Sequence, residues 1–219
     1  MKKIDVRGIA VLGMFCAISF VMVLVGRLVP NVAGFLSYDP KDAIIAIAGC
    51  IFGPISAVII SVVVSLIEML SLSGTGIYGF IMNVFSTCAF VVPVAVIYKK
   101  NRSFKGALIG LIVGVFSITS CMLLWNYIIT PYYMKVPRNV VSGMLLSTFL
   151  PFNFVKGGIN MALTLILYKP IVSALRKARL LNVGNEKETK KKDQLGIVLL
   201  SLFLLVTFIL LFLIFSKVI

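Results

Sequence analysis

The sequence predicts an all-α integral membrane protein, with six transmembrane helices in a core and a seventh hydrophobic helix appended at the C-terminal end. Three observations predict it. Of 219 residues, 60% are apolar and only 13% charged, where a soluble domain runs at roughly half apolar and a quarter charged. The mean hydropathy is +1.11. Finally, the apolar residues fall in runs of the length that crosses a bilayer, about 20 residues for a core of about 30 Å. These features exclude an ordinary globular protein, a disordered chain and a secreted disulfide scaffold.

The runs lie at about 8–29, 43–71, 77–98, 106–128, 147–171 and 195–215. The first follows Lys2, Lys3 and Arg7 like a signal peptide. It is longer than an h-region, however, and lacks a small-x-small cleavage site, so it reads as a retained helix. The second is too long for one helix and contains Gly53-Pro54, where proline breaks the hydrogen-bond ladder. Charge decides whether the chain reverses there. With a reversal, 15 of the 21 Lys and Arg share one side: Lys2, Lys3, Arg7, the cluster Lys99 to Lys105, and Lys169 to Lys192. That is the positive-inside asymmetry. Helices are therefore expected at 8–29, 40–52, 54–71, 77–98, 105–128 and 147–175, with the N-terminus cytoplasmic. The two halves of the split run are short, which leaves room for a tilted or re-entrant segment. Residues 1–180 form the core, 181–194 a basic cytoplasmic linker, and 195–219 the extra helix, which carries no polar constellation and reads as an anchor or a packing surface.

The formal charge of +14 is thus a topology signal, and nucleic acid is not an expected partner. The lipid bilayer is. The absence of histidine removes His-based acid–base catalysis, Ser-His and Cys-His pairs and histidine metal sites. Cys16, Cys50, Cys88 and Cys121 lie singly in apolar runs and read as buried thiols. No metal site, catalytic residue or nucleotide-hydrolysing motif stands out, so the chain does not read as an enzyme.

Polar groups within a membrane are costly and mark function. Asn153, Lys156, Asn160 and Thr164 stand at i, i+3, i+7 and i+11, one helical stripe. Two amides and an ammonium suit a flat heterocycle carrying carbonyls and ring N–H groups; the competing reading is a lysine snorkelling to the interface. In Tyr38-Asp39-Pro40-Lys41-Asp42, Asp39 is expected at the N-cap with Pro40 at N1, as a cap alone or also as a ligand contact. Glu68, sharing a face with Ser61 and Ser65, is a ligand group or merely interfacial. Ser73-Gly74-Thr75-Gly76 offers a tight turn ahead of a helix bearing Asn83. Asn126 is the ligand candidate among interfacial aromatics that include Trp125, Tyr127, Tyr132 and Tyr133. All of these fall toward the outer side, which predicts a pocket open to the outside for a flat, largely neutral metabolite. In the first helix Ala10, Gly13 and Ala17 form a small-residue stripe for another helix to approach, or for internal packing.

Together, Tyr-Asp-Pro-Lys-Asp (38–42), Gly53-Pro54, Ser65-x-x-Glu68-Met69, Ser73-x-Thr75-Gly76, Met82-Asn83, Asn126-Tyr127-x-x-Thr130-Pro131 and Pro151-Phe152-Asn153-x-x-Lys156-x-x-x-Asn160 resemble the riboflavin-specific S component of energy-coupling factor (ECF) transporters, the RibU family, over about residues 5–180. The resemblance implies a non-enzymatic binding protein of the bacterial cell membrane. It would capture riboflavin, with FMN as a related candidate, from outside and release it inside. Partners would be a transmembrane coupling protein and two ABC-type ATPases; no cofactor is implied. Asn153 and Lys156 match the family's isoalloxazine contacts, with Asn126 a companion. Gly13-x-x-x-Ala17 departs from the family's Ala-x-x-x-Ala docking pattern, and the 195–215 helix lies outside the six-helix pattern. The alternatives are an S component for thiamine or a deazapurine precursor, or a stand-alone secondary transporter.

Overall fold

The computed structural model describes residues 6–32, 36–72, 75–180 and 191–215. Nine α-helices follow in order among the described residues: α1 (Val6–Gly26), α2 (Lys41–Phe52), α3 (Pro54–Ser71), α4 (Gly76–Lys100), α5 (Phe104–Ile128), α6 (Thr130–Met134), α7 (Arg138–Met144), α8 (Leu150–Lys177) and α9 (Lys191–Phe215). Six helical stretches are long and apolar enough to span: α1, α3, α4, α5, the run Arg138–Lys177 that ends in α8, and Gly196–Ile214 within α9. At 12 residues, α2 is only about 18 Å long.

The reversal at Gly53-Pro54 is present. Gly53 has φ 97° and ψ 172°, a conformation open essentially to glycine alone, and Pro54 opens α3 where its missing N–H costs nothing. The ends prove the hairpin. Lys41 Nζ at the start of α2 lies 3.0 Å from Glu68 Oε2 near the end of α3. In one straight helix these residues would stand about 40 Å apart.

The core centres on α2, whose residues from Lys41 to Gly49 are all buried, against α1, α3, α4 and α8. Val11 and Phe15 from α1, Ile60 and Val64 from α3, Phe90 and Val94 from α4, and Leu111 and Ile118 from α5 complete it. Small residues set the approach of the helices. A Cβ at Gly49 would lie 3.1 Å from both Ala57 and Ala95, and one at Gly114 only 2.9 Å from the Phe90 carbonyl. This is how helices pack when lipid supplies no hydrophobic drive between them.

Two expectations shift. The helix predicted from 147 begins at Leu150, after the π-turn Leu145–Phe149; Pro151 lacks the N–H that regular winding there requires. The helix expected at 195–215 already starts at Lys191, because Lys, Asp and Gln ahead of the apolar run continue a helix at little cost. Linker residues 181–190 lie outside the described residues, as do Ser73 and Gly74.

Candidate functional site

Five charged side chains meet at one end of the bundle. Lys41 has no exposed surface; its ammonium pairs with Asp39 and, at 3.0 Å, with Glu68. Glu68 Oε2 also accepts from Asn83 Nδ2 at 3.0 Å, tying in α4. Asp42, equally buried, accepts from Thr87 Oγ1 at 2.6 Å through Oδ1. Its Oδ2 lies 3.9 Å from Lys156 Nζ and has no hydrogen-bond partner among the described residues. A buried charge persists only when paired or hydrogen-bonded; Lys41, Asp39, Asp42 and Glu68 each have a hydrogen-bonded partner, and Lys156 has its ion pair with Asp42.

Asn160, also without exposed surface, joins this cluster to the loop between α1 and α2. Its Oδ1 accepts from the Tyr38 hydroxyl at 3.1 Å, and its Nδ2 donates to the Asp39 carbonyl at 3.2 Å. Burial, followed by the charges of Asp42 and Asp39, pushes the Tyr38 phenol well above its usual value, so it remains a donor. Burial opposes the Asp39 charge, but Lys41 and Lys156 outweigh it and hold the carboxyl below its usual range.

Of the residues singled out from sequence, Tyr38, Asp39, Glu68, Asn83, Lys156 and Asn160 are brought together. Asp39 does not cap: Pro40 occupies the N-cap and no side chain caps α2, because the buried Lys41 ammonium takes the carboxylate instead. Asn153, Asn160 and Thr164 are buried on the predicted stripe with Lys156. The other amides bond within their own surroundings. Asn153 donates to the Phe149 carbonyl, and Thr164 to that of Asn160. Asn126 donates to Met122 and accepts from Thr130, both at 2.8 Å. Thr75 and Gly76 sit exposed at the head of α4. Lys156 does not snorkel; it is 7% exposed.

Sequence reasoning missed Lys41, Asp42 and Thr87 as members of the cluster. The available signal was the length of α2: a helix too short to span starts below the surface, so its first residues are buried.

The polar groups predicted to line an open pocket hold one another. A groove of about 420 Å³ lined by Phe116, Thr119, Ser120, Leu123, Leu150 and Phe154 is apolar and shares none of the cluster's residues. On α1, the stripe Ala10, Gly13 and Ala17 faces outward, and a Cβ at Gly13 would meet nothing within 4 Å. Internal packing is therefore not its role.

Comparison with known proteins agrees with this architecture. The chain is 26% identical over 188 residues to the riboflavin transporter FmnP of Bacillus subtilis (strain 168), covering 80% of this chain and 98% of that one. It is 26% identical over 172 residues to the riboflavin transporter RibU of Staphylococcus aureus (strain TCH60), covering 76% and 90%. A solved structure described as the S component of a bacterial ECF transporter matches with a TM-score of 0.66 at 26% identity, over 78% of this chain and 97% of that one. These relatives are transport proteins, not enzymes. The family model "ECF transporter, substrate-specific component" matches residues 7–168, and the chain belongs to that family of multi-pass membrane proteins.

Proposed function

We propose that this chain is the riboflavin-binding S component of an ECF transporter, capturing the vitamin outside and releasing it to the cytoplasm. The observation that carries the reading is the convergence of Lys156 and Asn160 with Tyr38, Asp39 and Asp42 at one end of the bundle, in a chain whose relatives are named riboflavin transporters. An isoalloxazine presents carbonyls and one ring N–H. Lys156, Asn153 and Asn160 supply donors, and the open Oδ2 of Asp42 supplies an acceptor. Asn83 and Glu68 join these groups, and Asn126, Thr75 and Gly76 are assigned as further ligand contacts. Ligand entry exchanges bonds among these groups for bonds to the vitamin, which keeps the polar groups satisfied in both states.

The basic clusters support a cytoplasmic N-terminus. Lys99, Lys100, Arg102 and Lys105 at the α4–α5 turn and Arg176, Lys177 and Arg179 at the end of α8 lie on the side opposite the cluster. The outward stripe Ala10, Gly13 and Ala17 suits close approach by a helix of the membrane coupling protein, which would work with two ABC-type ATPases. Riboflavin is cargo; no resident cofactor is invoked.

Titration of the detergent-solubilised protein with riboflavin, followed by flavin fluorescence quenching, tests the reading. Submicromolar affinity with strong preference over thiamine is expected. Binding in the micromolar range or weaker, or equal binding of thiamine, would overturn it. Uptake is expected only when the coupling protein and ATPases are present, whereas uptake by this chain alone in liposomes would favour a secondary transporter.

A further inference from the structure

The match to the family model ends at residue 168, so α9 is an addition to the family's pattern. Its packing is focal. Phe203, Leu210 and Ile214 are among many exposed side chains, whereas Phe212 is 5% exposed. Two aromatic contacts stand out. A Cβ at Gly158 would lie 2.4–2.6 Å from three atoms of the Phe208 ring, so the ring rests on a surface that only glycine provides. Gly158 is two residues from both Lys156 and Asn160, which places it on the opposite face of α8. One turn further along α9, the Phe212 ring meets that of Tyr38 edge to face, centroids 6.0 Å apart, and Tyr38 donates to Asn160. Phe212 belongs to a second apolar cluster with Val32, Tyr38, Phe152, Val155 and Ile159, flanked by Leu36, Leu205 and Phe208. That cluster consists of the α1–α2 loop, α8 and α9.

We propose that α9 is a positioning element of the ligand site: Phe208 seats it on Gly158, and Phe212 holds Tyr38 and the loop over the cluster, slowing ligand release. A plain anchor would have no need of a glycine-sized seat on the helix that carries the site, nor of a ring against a site tyrosine. For ligand to leave past this loop, Tyr38 gives up both Asn160 and Phe212. The α9 contact therefore bears on the release rate. This rests on the riboflavin reading above for its ligand, while the contact itself stands without it.

The test uses the full-length protein in lipid nanodiscs. Phe212→Ala is expected to release riboflavin about three- to tenfold faster, the range that an aromatic pair is worth, with little change in association rate. Phe212→Tyr keeps the ring and should release at the wild-type rate, and so should the lipid-facing Phe203→Ala. Tyr38→Leu combined with Phe212→Ala should fall short of the product of the two single effects, because each removes the same ring contact. Release from Phe212→Ala within twofold of wild type, or equal acceleration by Phe203→Ala, overturns the proposal. A ligand-free measurement separates it from the vitamin assignment. The amides of Val32 and Leu36 bond each other's carbonyls at 2.9 and 3.0 Å, and their hydrogen exchange should quicken in Phe212→Ala but not in Phe203→Ala. If wild type fails to bind riboflavin yet exchange quickens, the loop-holding role stands and the vitamin reading falls. If exchange is unchanged, the role falls whatever the ligand.

Discussion

Charge balance in the buried cluster makes two single substitutions differ in a direction that simple pair counting would not give. Three carboxylates (Asp39, Asp42 and Glu68) face two ammonium groups (Lys41 and Lys156), an excess of one negative charge. Lys41→Met leaves three carboxylates against one ammonium, with Asp39 and Glu68 facing each other across the vacated position. Breaking a buried pair by removing one partner costs about 3–5 kcal/mol, chiefly because the charge left behind is uncompensated. Lys41 has no exposed surface and its two partners are 13–14% exposed, so solvent offers little relief. Glu68→Gln instead leaves two against two. The glutamine carbonyl still accepts from Asn83 and Lys41, so the expected cost is about 0–1 kcal/mol, the scale of one altered hydrogen bond. A chain of this size loses about 2–4 °C in melting temperature per kcal/mol. Lys41→Met should then melt about 6–20 °C below wild type in detergent, and Glu68→Gln within about 4 °C. The double variant restores the wild-type excess and should fall between them. The reasoning fails if Lys41→Met melts within about 2 °C of wild type, or if Glu68→Gln falls as far.

Further outcomes follow from other parts of the molecule. Lys156→Ala removes a charged donor and should weaken riboflavin binding about 10–100-fold while the protein still folds and inserts, as read by fluorescence quenching beside a thermal melt; an unchanged Kd would move the site elsewhere. Gly114→Leu drives a side chain into the Phe90 carbonyl and Val94, both 2.9 Å from a Cβ there, and should cost about 1–3 kcal/mol in the melt. Gly13→Leu meets open space and should leave melting and riboflavin binding unchanged but abolish uptake in cells that supply the coupling module. Full uptake by Gly13→Leu would remove that stripe from partner docking.

Local chemistry was the legible part. Gly53-Pro54 announced the hairpin because no other dipeptide serves a helix stop and a helix start so directly, and the charge tally fixed the reversal. The stripe Asn153, Lys156, Asn160 and Thr164 was legible through its period. What periodicity does not carry is where an amide points. Asn126 and Asn153 return to carbonyls four residues back, whereas Asn160 reaches across 122 residues to Tyr38, yet all three look alike in sequence. Lys41 and Asp42 were read as part of a helix start because their neighbours Tyr38, Asp39 and Pro40 suit an interfacial turn. Their burial comes from α1, α3, α4 and α8 closing around them, a tertiary property. The pairing of Gly158 with Phe208 spans 50 residues and left no local mark on either helix.

The short helix explains why the cluster lies where it does. A helix of about 18 Å within a hydrocarbon core of about 30 Å leaves roughly 12 Å of depth that α2 does not occupy. Because α2 meets α3 directly at Gly53 on the far side, the unoccupied depth lies at the Lys41 end. Irregular backbone at membrane depth persists only where protein surrounds it or where it lines a cavity. Residues 38–40 meet that condition. Tyr38 and Asp39 bond Asn160, and a Cβ on Gly26 would strike the Tyr38 carbonyl at 2.7 Å, so the loop is pressed between α1 and α8. A longer α2 would fill this space with helix backbone whose polar groups are already satisfied, leaving nothing to offer a ligand. Truncating it instead puts loop carbonyls, a tyrosine hydroxyl and three carboxylates against two ammonium groups at that depth, beside a single loop. The same geometry makes that loop the natural place for an added helix to act, which is where Phe212 touches it.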